Sequence, residues 1–302
     1  MLSILSTIPL LALPLTSSHP IPIPQANPTP GSFSLIPSAV ITSTLPPLGS
    51  SRGRTGSLSS TSLQYLQLNL CNSGFANCYA GGLSIPEGAD LIYATAPNVV
   101  TVNEICSSNV VELQGQLREA WPDDWTYSVF MSAENEATAQ RYKCKDSDAF
   151  YGSAILGRVE KGAWSGVKGY GGQYTRQDST NEGRIFACAD VKGDMLACAT
   201  HLAAKPAADV ALAQGKALMF DVIPYLRTLT AATGKTIVGG DFNLKYGEEV
   251  NVQDCVPNGF TRKGDGDVQH VIFSNALTFE DTKKYGLSYT DHDGFLVKLK
   301  TG

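Results

Sequence analysis

From Ser62 onward the chain is a succession of short apolar runs, and run after run stops at a polar residue. Leu66-Gln67-Leu68 leads to Asn69, and Val99-Val100-Thr101-Val102 leads to Asn103-Glu104. Ala197-Cys198-Ala199-Thr200 ends at His201, Ile237-Val238-Gly239-Gly240 runs into Asp241 and Asn243, and Asp291-His292 precedes Gly294-Phe295-Leu296-Val297. Runs this short read as strands, and further strands are expected over residues 153–156, 184–189 and 268–273. Residues 110–121 and 209–229 instead carry helical spacing, with Val210, Ala213, Ala217, Phe220 and Ile223 roughly on one face of the second. Interleaved strands and helices, with hairpins among them, predict a layered α/β sandwich. Strands that end in carboxylates, amides and imidazoles can converge on one sheet edge, where ligands bind in such folds.

The composition bounds this reading. A chain of 302 residues, 43% hydrophobic and 17% charged, can bury one large core or two small ones, which excludes a disordered chain, a collagen-like fibre and a small disulfide-stapled module. A net charge of -5 argues against a domain that coats nucleic acid by charge alone. The charge is also unevenly placed: the first charged residue is Arg52, and ten of the 16 prolines lie in the first 50 residues. Residues 1–18 read as a signal peptide without a basic start, with cleavage expected between Ser18 and Ala26. Pro9 and Pro14 interrupt the apolar stretch well short of a membrane span. Residues 19–61, rich in Pro, Ser and Thr, with Pro20, Pro22 and Pro24 alternating with Ile21 and Ile23, are expected to be a propeptide or flexible tether. A single domain over 62–302, secreted and monomeric, with no transmembrane segment, is the resulting expectation.

Seven cysteines, all beyond the leader, suit an oxidising compartment. Cys188 and Cys198 are symmetric about Gly193 in a turn between two strand-like runs, so a cross-strand disulfide is natural there. Cys71 with Cys78 would close a short loop, and Cys106 would reach Cys144, although spacing alone leaves the connectivity open.

Taken singly, an Asn or Asp after a buried strand is a turn former, and a lone His is a packing residue. Taken together, the carboxylates supply hard oxygen ligands for Mg²⁺, and the imidazoles and amides suit a phosphate oxyanion. Four histidines exist, one of them in the leader, and two of the other three belong to this set.

The motifs Leu68-Asn69-Leu70, Asn103-Glu104, Thr200-His201-Leu202, Gly240-Asp241-Phe242-Asn243 and Thr290-Asp291-His292 resemble, in order and spacing from Ser62 to the end, those of the endonuclease/exonuclease/phosphatase superfamily. The resemblance implies a four-layer α/β/β/α sandwich of the deoxyribonuclease I-like type that hydrolyses phosphate esters with Mg²⁺, with Mn²⁺ or Ca²⁺ as alternative ions. By the same resemblance Glu104 is the main metal ligand, helped by Asn69 and Asp291. Asp241 and Asn243 position water and the scissile phosphate, and His201 and His292 contact phosphate oxygens and transfer protons. Two positions depart from the family. Gln269 stands where an Asp usually orients the final His, and His270 beside it is either a substitute participant or a packing residue. Cys106 stands where pancreatic-type deoxyribonuclease I carries an Arg that enters the minor groove.

For the substrate, residues 161–176 interleave Lys161, Lys168 and Arg176 with Trp164, Tyr170 and Tyr174 among five glycines, a pattern expected of a loop that tracks phosphates and stacks bases. Arg184 would add a phosphate contact. Nucleic acid, DNA and/or RNA, is therefore the expected substrate. Phospholipid head groups, approached through Trp164 and Tyr170, or another phosphate ester are the alternatives. A non-catalytic binding protein fits less well, because the metal and phosphate positions other than Gln269 are all filled.

Overall fold

The computed structural model describes residues 31–49, 61–145, 147–230 and 234–301, so the expected signal peptide, its cleavage sites and the Pro/Ile alternation lie outside the described residues. Two seven-stranded sheets are present. From edge to edge the first is β1 (Phe33–Leu35), β9 (Val167–Tyr174), β10 (Ile185–Val191), β11 (Met195–His201), β12 (Lys235–Asp241), β14 (Gln269–Ser274) and β13 (Phe260–Gly264). The second is β15 (Leu277–Tyr285), β16 (Gly294–Thr301), β3 (Ser62–Asn69), β4 (Val99–Cys106), β8 (Tyr151–Val159), β5 (Trp125–Ser132) and β2 (Val40–Leu45). A two-stranded ribbon of β6 (Glu134–Asn135) and β7 (Gln140–Arg141) stands beside them. Each large sheet holds one parallel pair, β11 with β12 and β3 with β4, among otherwise antiparallel neighbours.

Side-chain alternation builds the layers. Met195, Ala197 and Ala199 of β11 share one core with Leu63 and Tyr65 of β3 and Val297 of β16, so this core lies between the sheets. Leu196 and Cys198 point the other way, into a core under α3 (Ala208–Lys216) and α4 (Ile223–Leu229). Leu66, Leu68, Val100 and Val102 pack under α1 (Ser84–Thr95) and α2 (Ser107–Ala120). The result is the expected α/β/β/α sandwich. The helix expected over 209–229 is interrupted by a six-residue π-helical segment, Ala217–Val222. Pro224, which has no N–H to give the preceding turn, is the second residue of α4, which follows that segment.

Two expectations are corrected. The tether expected over 19–61 contains two strands and the turn between them. β1 pairs with β9 and β2 with β5, so one short segment closes an edge of each sheet. Phe33 packs edge-on against Phe186 and tilted against Tyr225, and Ala39 is fully buried. An uncharged edge strand looks like a linker in composition, but here its apolar residues find cores. The glycine-rich stretch 161–176, expected to be a loop, is half taken up by β9. A Cβ on Gly169 would lie 2.5 Å from Thr42 Oγ1 and one on Gly171 2.7 Å from Met131 Sδ, so these glycines let two sheets approach.

Because an open sheet edge is both unstable and sticky, the strap is expected to matter for stability. A chain beginning at Ser50 should melt about 10 °C below one beginning at Gly31, as loss of roughly 3 kcal/mol does in a domain of this size. Equal melting temperatures by calorimetry would show that the strap is dispensable.

Candidate active site

Parallel strands end on the same side. Asn69 ends β3 in register with Asn103 of β4, and His201 ends β11 in register with Asp241 of β12. One pair belongs to each sheet, so four polar strand ends meet across the space between the sheets. A cleft of about 410 Å³ there is lined by Glu104, His201, Asp241, Asn243, Asp291 and His292, together with Glu182 and Arg184.

Asn103 ties the two ends together. Its Oδ1 accepts from the backbone N–H of Asp241 (2.8 Å), and its Nδ2 donates to the carbonyl of Thr200 (2.8 Å) and to Ser153 Oγ (3.1 Å). Gln67 adds a bond from Nε2 to Asn103 Oδ1 (2.8 Å). Pairing of β4 with β8 slips between Val102 and Ile105, so Asn103 and Glu104 occupy a bulge. Glu104 has φ +53°, a left-handed conformation unusual for a glutamate, and the bulge thereby turns it into the cleft while Asn103 remains between the sheets.

Asn69 Nδ2 donates to Glu104 Oε1 (3.1 Å) and Asp241 Oδ2 (3.1 Å), while its Oδ1 accepts from Cys71 N–H. It thus bridges two acids as a donor rather than offering its oxygen to a metal, which alters the expected ligand role. Asp241 Oδ1 accepts from Asn243 N–H (2.9 Å), and its Oδ2 lies 3.4 Å from His292 Nε2, which is also 3.5 Å from Asp291 Oδ1. Asn243 is anchored by Nδ2 on the carbonyl of Leu202.

On the other side, His201 Nδ1 lies 3.4 Å from Arg184 Nη1 and 3.7 Å from Glu182 Oε1, while its Nε2 lies 3.9 Å from Glu104. A guanidinium only donates, so Nδ1 is the acceptor and the ring proton is assigned to Nε2, toward the cleft. Burial, then the charges of Arg184 and His292, hold the His201 pKa well below the ordinary histidine value, so the ring is neutral. Arg184 is itself committed to Asp178 (3.3 Å) and Glu182 (3.0 Å), and Tyr151 Oη donates to Glu182. Glu182 went unnoticed in the sequence, where nothing separates it from the other acids of a polar loop.

The donor set suits a hard divalent cation. Glu104, Asp241 and Asp291 offer oxygen, and among the described lining residues Arg184 is the sole Lys or Arg. Burial, with Glu182 and Asp241 nearby as like charges, pushes the Glu104 pKa up to about 7. Such a surplus of buried acid is what a bound divalent ion would neutralise. Cys71, Cys78 and Asp291 also cluster, but the two sulfurs form a disulfide and present no thiolates. The three disulfides are Cys71–Cys78, Cys106–Cys144 and Cys188–Cys198, with Cys255 free and buried.

Other expected site residues fall elsewhere. Gln269 gives its amide to the carbonyl of Asp293 (2.6 Å) and accepts from Gln67, so it holds the chain after His292 rather than the ring. Lys168 lies opposite Asp190 and stacks over Tyr170, a buried residue of the helix-side core. Trp164 stacks on Trp125 and packs against the inter-sheet core. By register Lys168 is level with Leu196 and Tyr170 with Cys198 on β11, five and three residues before His201, and none of Lys168, Tyr170 and Trp164 lines the cleft. Arg184 reaches the cleft, bound to its own acids.

His270 is a packing residue. Nε2 bonds the carbonyl of Leu244 (2.8 Å), Arg262 Nη1 meets Nδ1 (3.1 Å), and Phe242 packs edge-on. Burial, aided by Arg262, lowers its pKa to about 4. A folded-state pKa below the unfolded value of about 6.5 stabilises the fold above pH 6.5, and this contribution is lost as pH falls toward 4, at most roughly 3 kcal/mol. Replacing His270 by Phe should therefore flatten the fall in melting temperature between pH 6.5 and 4.5. An unchanged slope would remove His270 from the acid limb.

No protein-family model and no curated protein matches the chain, whereas solved structures do. An endonuclease/exonuclease/phosphatase family protein from Bacteroides thetaiotaomicron superposes with TM-score 0.55 at 14% identity, covering 80% of this chain and 98% of that one. The human Nocturnin catalytic domain with bound sulfate gives 0.53 at 16% identity, covering 83% and 100%. D. rerio TDP2 complexed with a single-strand DNA product gives 0.50 at 14% identity, covering 80% and 99%. With two sheets, flanking helices and polar strand ends arranged in this way, the chain has the endonuclease/exonuclease/phosphatase fold.

Proposed function

We propose that the protein is a secreted, divalent-metal-dependent phosphodiesterase that cleaves nucleic acid. The observation that carries this reading is the single cleft holding Glu104, Asp241, Asn243, His201 and His292, with a neutral imidazole on one wall and surplus buried acid on the other. Glu104 and Asp291 would hold the cation, Mg²⁺ first and Mn²⁺ or Ca²⁺ as alternatives, and Asn69 fixes the Glu104 carboxylate. When bound, the cation supplies positive charge to the phosphate and polarises its P–O bonds.

The chain's own groups do the rest. His201 presents Nε2–H to a phosphate oxygen, and its neutral state lets it donate without repelling the metal. Asp241 and Asn243 sit where a water would approach the phosphorus, with Asp241 locked by Asn243 N–H and Asn69. His292, between Asp241 and Asp291, is placed to exchange a proton with water or leaving oxygen.

A nucleic acid substrate is favoured over a lipid. Trp164 and Tyr170, the residues that would enter a membrane, are packed away from the cleft. The likeness to a fold holding a single-strand DNA product supports the same choice. Three disulfides accord with export, which we assign to residues 1–18 acting as a signal peptide. We take the working form to be a monomer.

Purified protein offered DNA, RNA, sphingomyelin and a sugar phosphate should hydrolyse nucleic acid with Mg²⁺ and not with EDTA. Glu104→Ala and His201→Ala should each lower kcat/KM by about a hundredfold or more, the scale of lost metal or phosphate stabilisation. Hydrolysis that survives both changes would reject this site.

A further inference from the structure

Beside the acids the cleft has an aromatic wall. Phe75, 56% exposed, packs edge-on against Tyr142 at 5.7 Å, and Tyr142 does the same against buried Tyr151, whose hydroxyl reaches Glu182. The segments carrying the outer two rings are bound to the catalytic strand ends. Cys71, two residues beyond Asn69, is joined to Cys78 and closes the loop that carries Phe75. Cys106, two residues beyond Glu104, is joined to Cys144, next but one to Tyr142. Ser73 accepts the Lys145 N–H through its carbonyl, linking the two segments, and its hydroxyl accepts from Phe75 N–H.

An exposed phenyl ring on a disulfide-closed loop, backed by a ring whose own segment is held by a second disulfide and sharing the cleft with the proposed phosphate-binding cluster, is a stacking platform. We propose that Phe75, backed by Tyr142, stacks an unpaired nucleobase next to the scissile phosphate, so that single-stranded nucleic acid is the preferred substrate class. The inference rests on the nuclease reading above and extends it. In a duplex both faces of a base are already covered by its neighbours, so the platform would have nothing to stack. The cleft's one guanidinium is occupied by Asp178 and Glu182, so tracking a backbone by charge is weak here and ring stacking supplies the grip. A lipid surface fits less well, because the ring lies among Glu104, Glu182 and Asp291, whose burial in acyl chains would be costly.

The test compares an oligothymidylate with an abasic oligomer of the same length and phosphate number, both with Mg²⁺. Wild type should cleave the base-bearing oligomer with kcat/KM about tenfold higher, a typical stacking effect. Phe75→Ala and Phe75→Leu should lose most of that ratio, mainly through KM, whereas Phe75→Trp should keep it. Thermal melting of each variant verifies that the fold is intact. If wild type cleaves oligonucleotides and Phe75→Ala keeps the full ratio, the platform is wrong and the nuclease reading stands. If wild type cleaves neither oligomer and no oligouridylate either, the nuclease reading falls and the platform with it. Hydrolysis of sphingomyelin vesicles that Phe75→Ala abolishes would assign the ring to lipid and overturn the proposal.

Discussion

The structure turns on one buried carboxamide. Asn103 lies between two sheets, accepts from the backbone of one cleft-lining strand end and donates to the backbone of another, and thereby sets how far each parallel pair extends toward the cleft. Apolar packing alone would not fix this registry, since the inner faces of both sheets are lined by interchangeable aliphatic and aromatic residues. Directional bonds to buried backbone groups do fix it, because each one left unmade costs about 1–3 kcal/mol. Glu104 follows Asn103 in the same bulge, so the residue that aligns the sheets also aims the principal acid.

Charge then decides what the site can hold. Glu104, Asp241 and Glu182 are gathered with one arginine, and burial resists ionising all of them at once. Left-handed backbone at Cys71, Glu104 and Asn243 clusters at the same place. Strain and surplus charge of this kind lower stability locally, and they persist where the surrounding bonds overdetermine the geometry. A divalent cation would relieve the charge. Burial and the charge of Arg184 keep His201 neutral beside these acids.

Much of this was legible in the sequence because a strand that ends in a polar residue signals its own terminus. Asn69, Glu104, His201, Asp241, Asn243, Asp291 and His292 all line the cleft or bond directly to residues that do. What could not be read depends on contacts between distant segments. Glu182 gains its place from Arg184, which the sequence offered as a phosphate contact rather than as the partner of an acid, and from Tyr151, which nothing in the sequence marks. The strap of β1 and β2 looked like linker because edge strands need few apolar residues. The glycines of β9 looked like a loop, although their absent side chains admit Thr42 and Met131 from the facing sheet. Helix α1 escaped notice because Pro86 and Gly88 lie in its first turns, and Gly88 is there to admit Leu70.

The central claim is that Asn103 holds two half-sites together as one metal site, and the Mg²⁺-induced rise in melting temperature tests it most directly. Binding to the folded state alone raises stability by an amount set by the ratio of ion concentration to Kd. Wild type should show that rise. Asn103→Ala, less stable by about 3 kcal/mol but still melting cooperatively, should show none. A variant that responds to Mg²⁺ as fully as wild type would contradict the account.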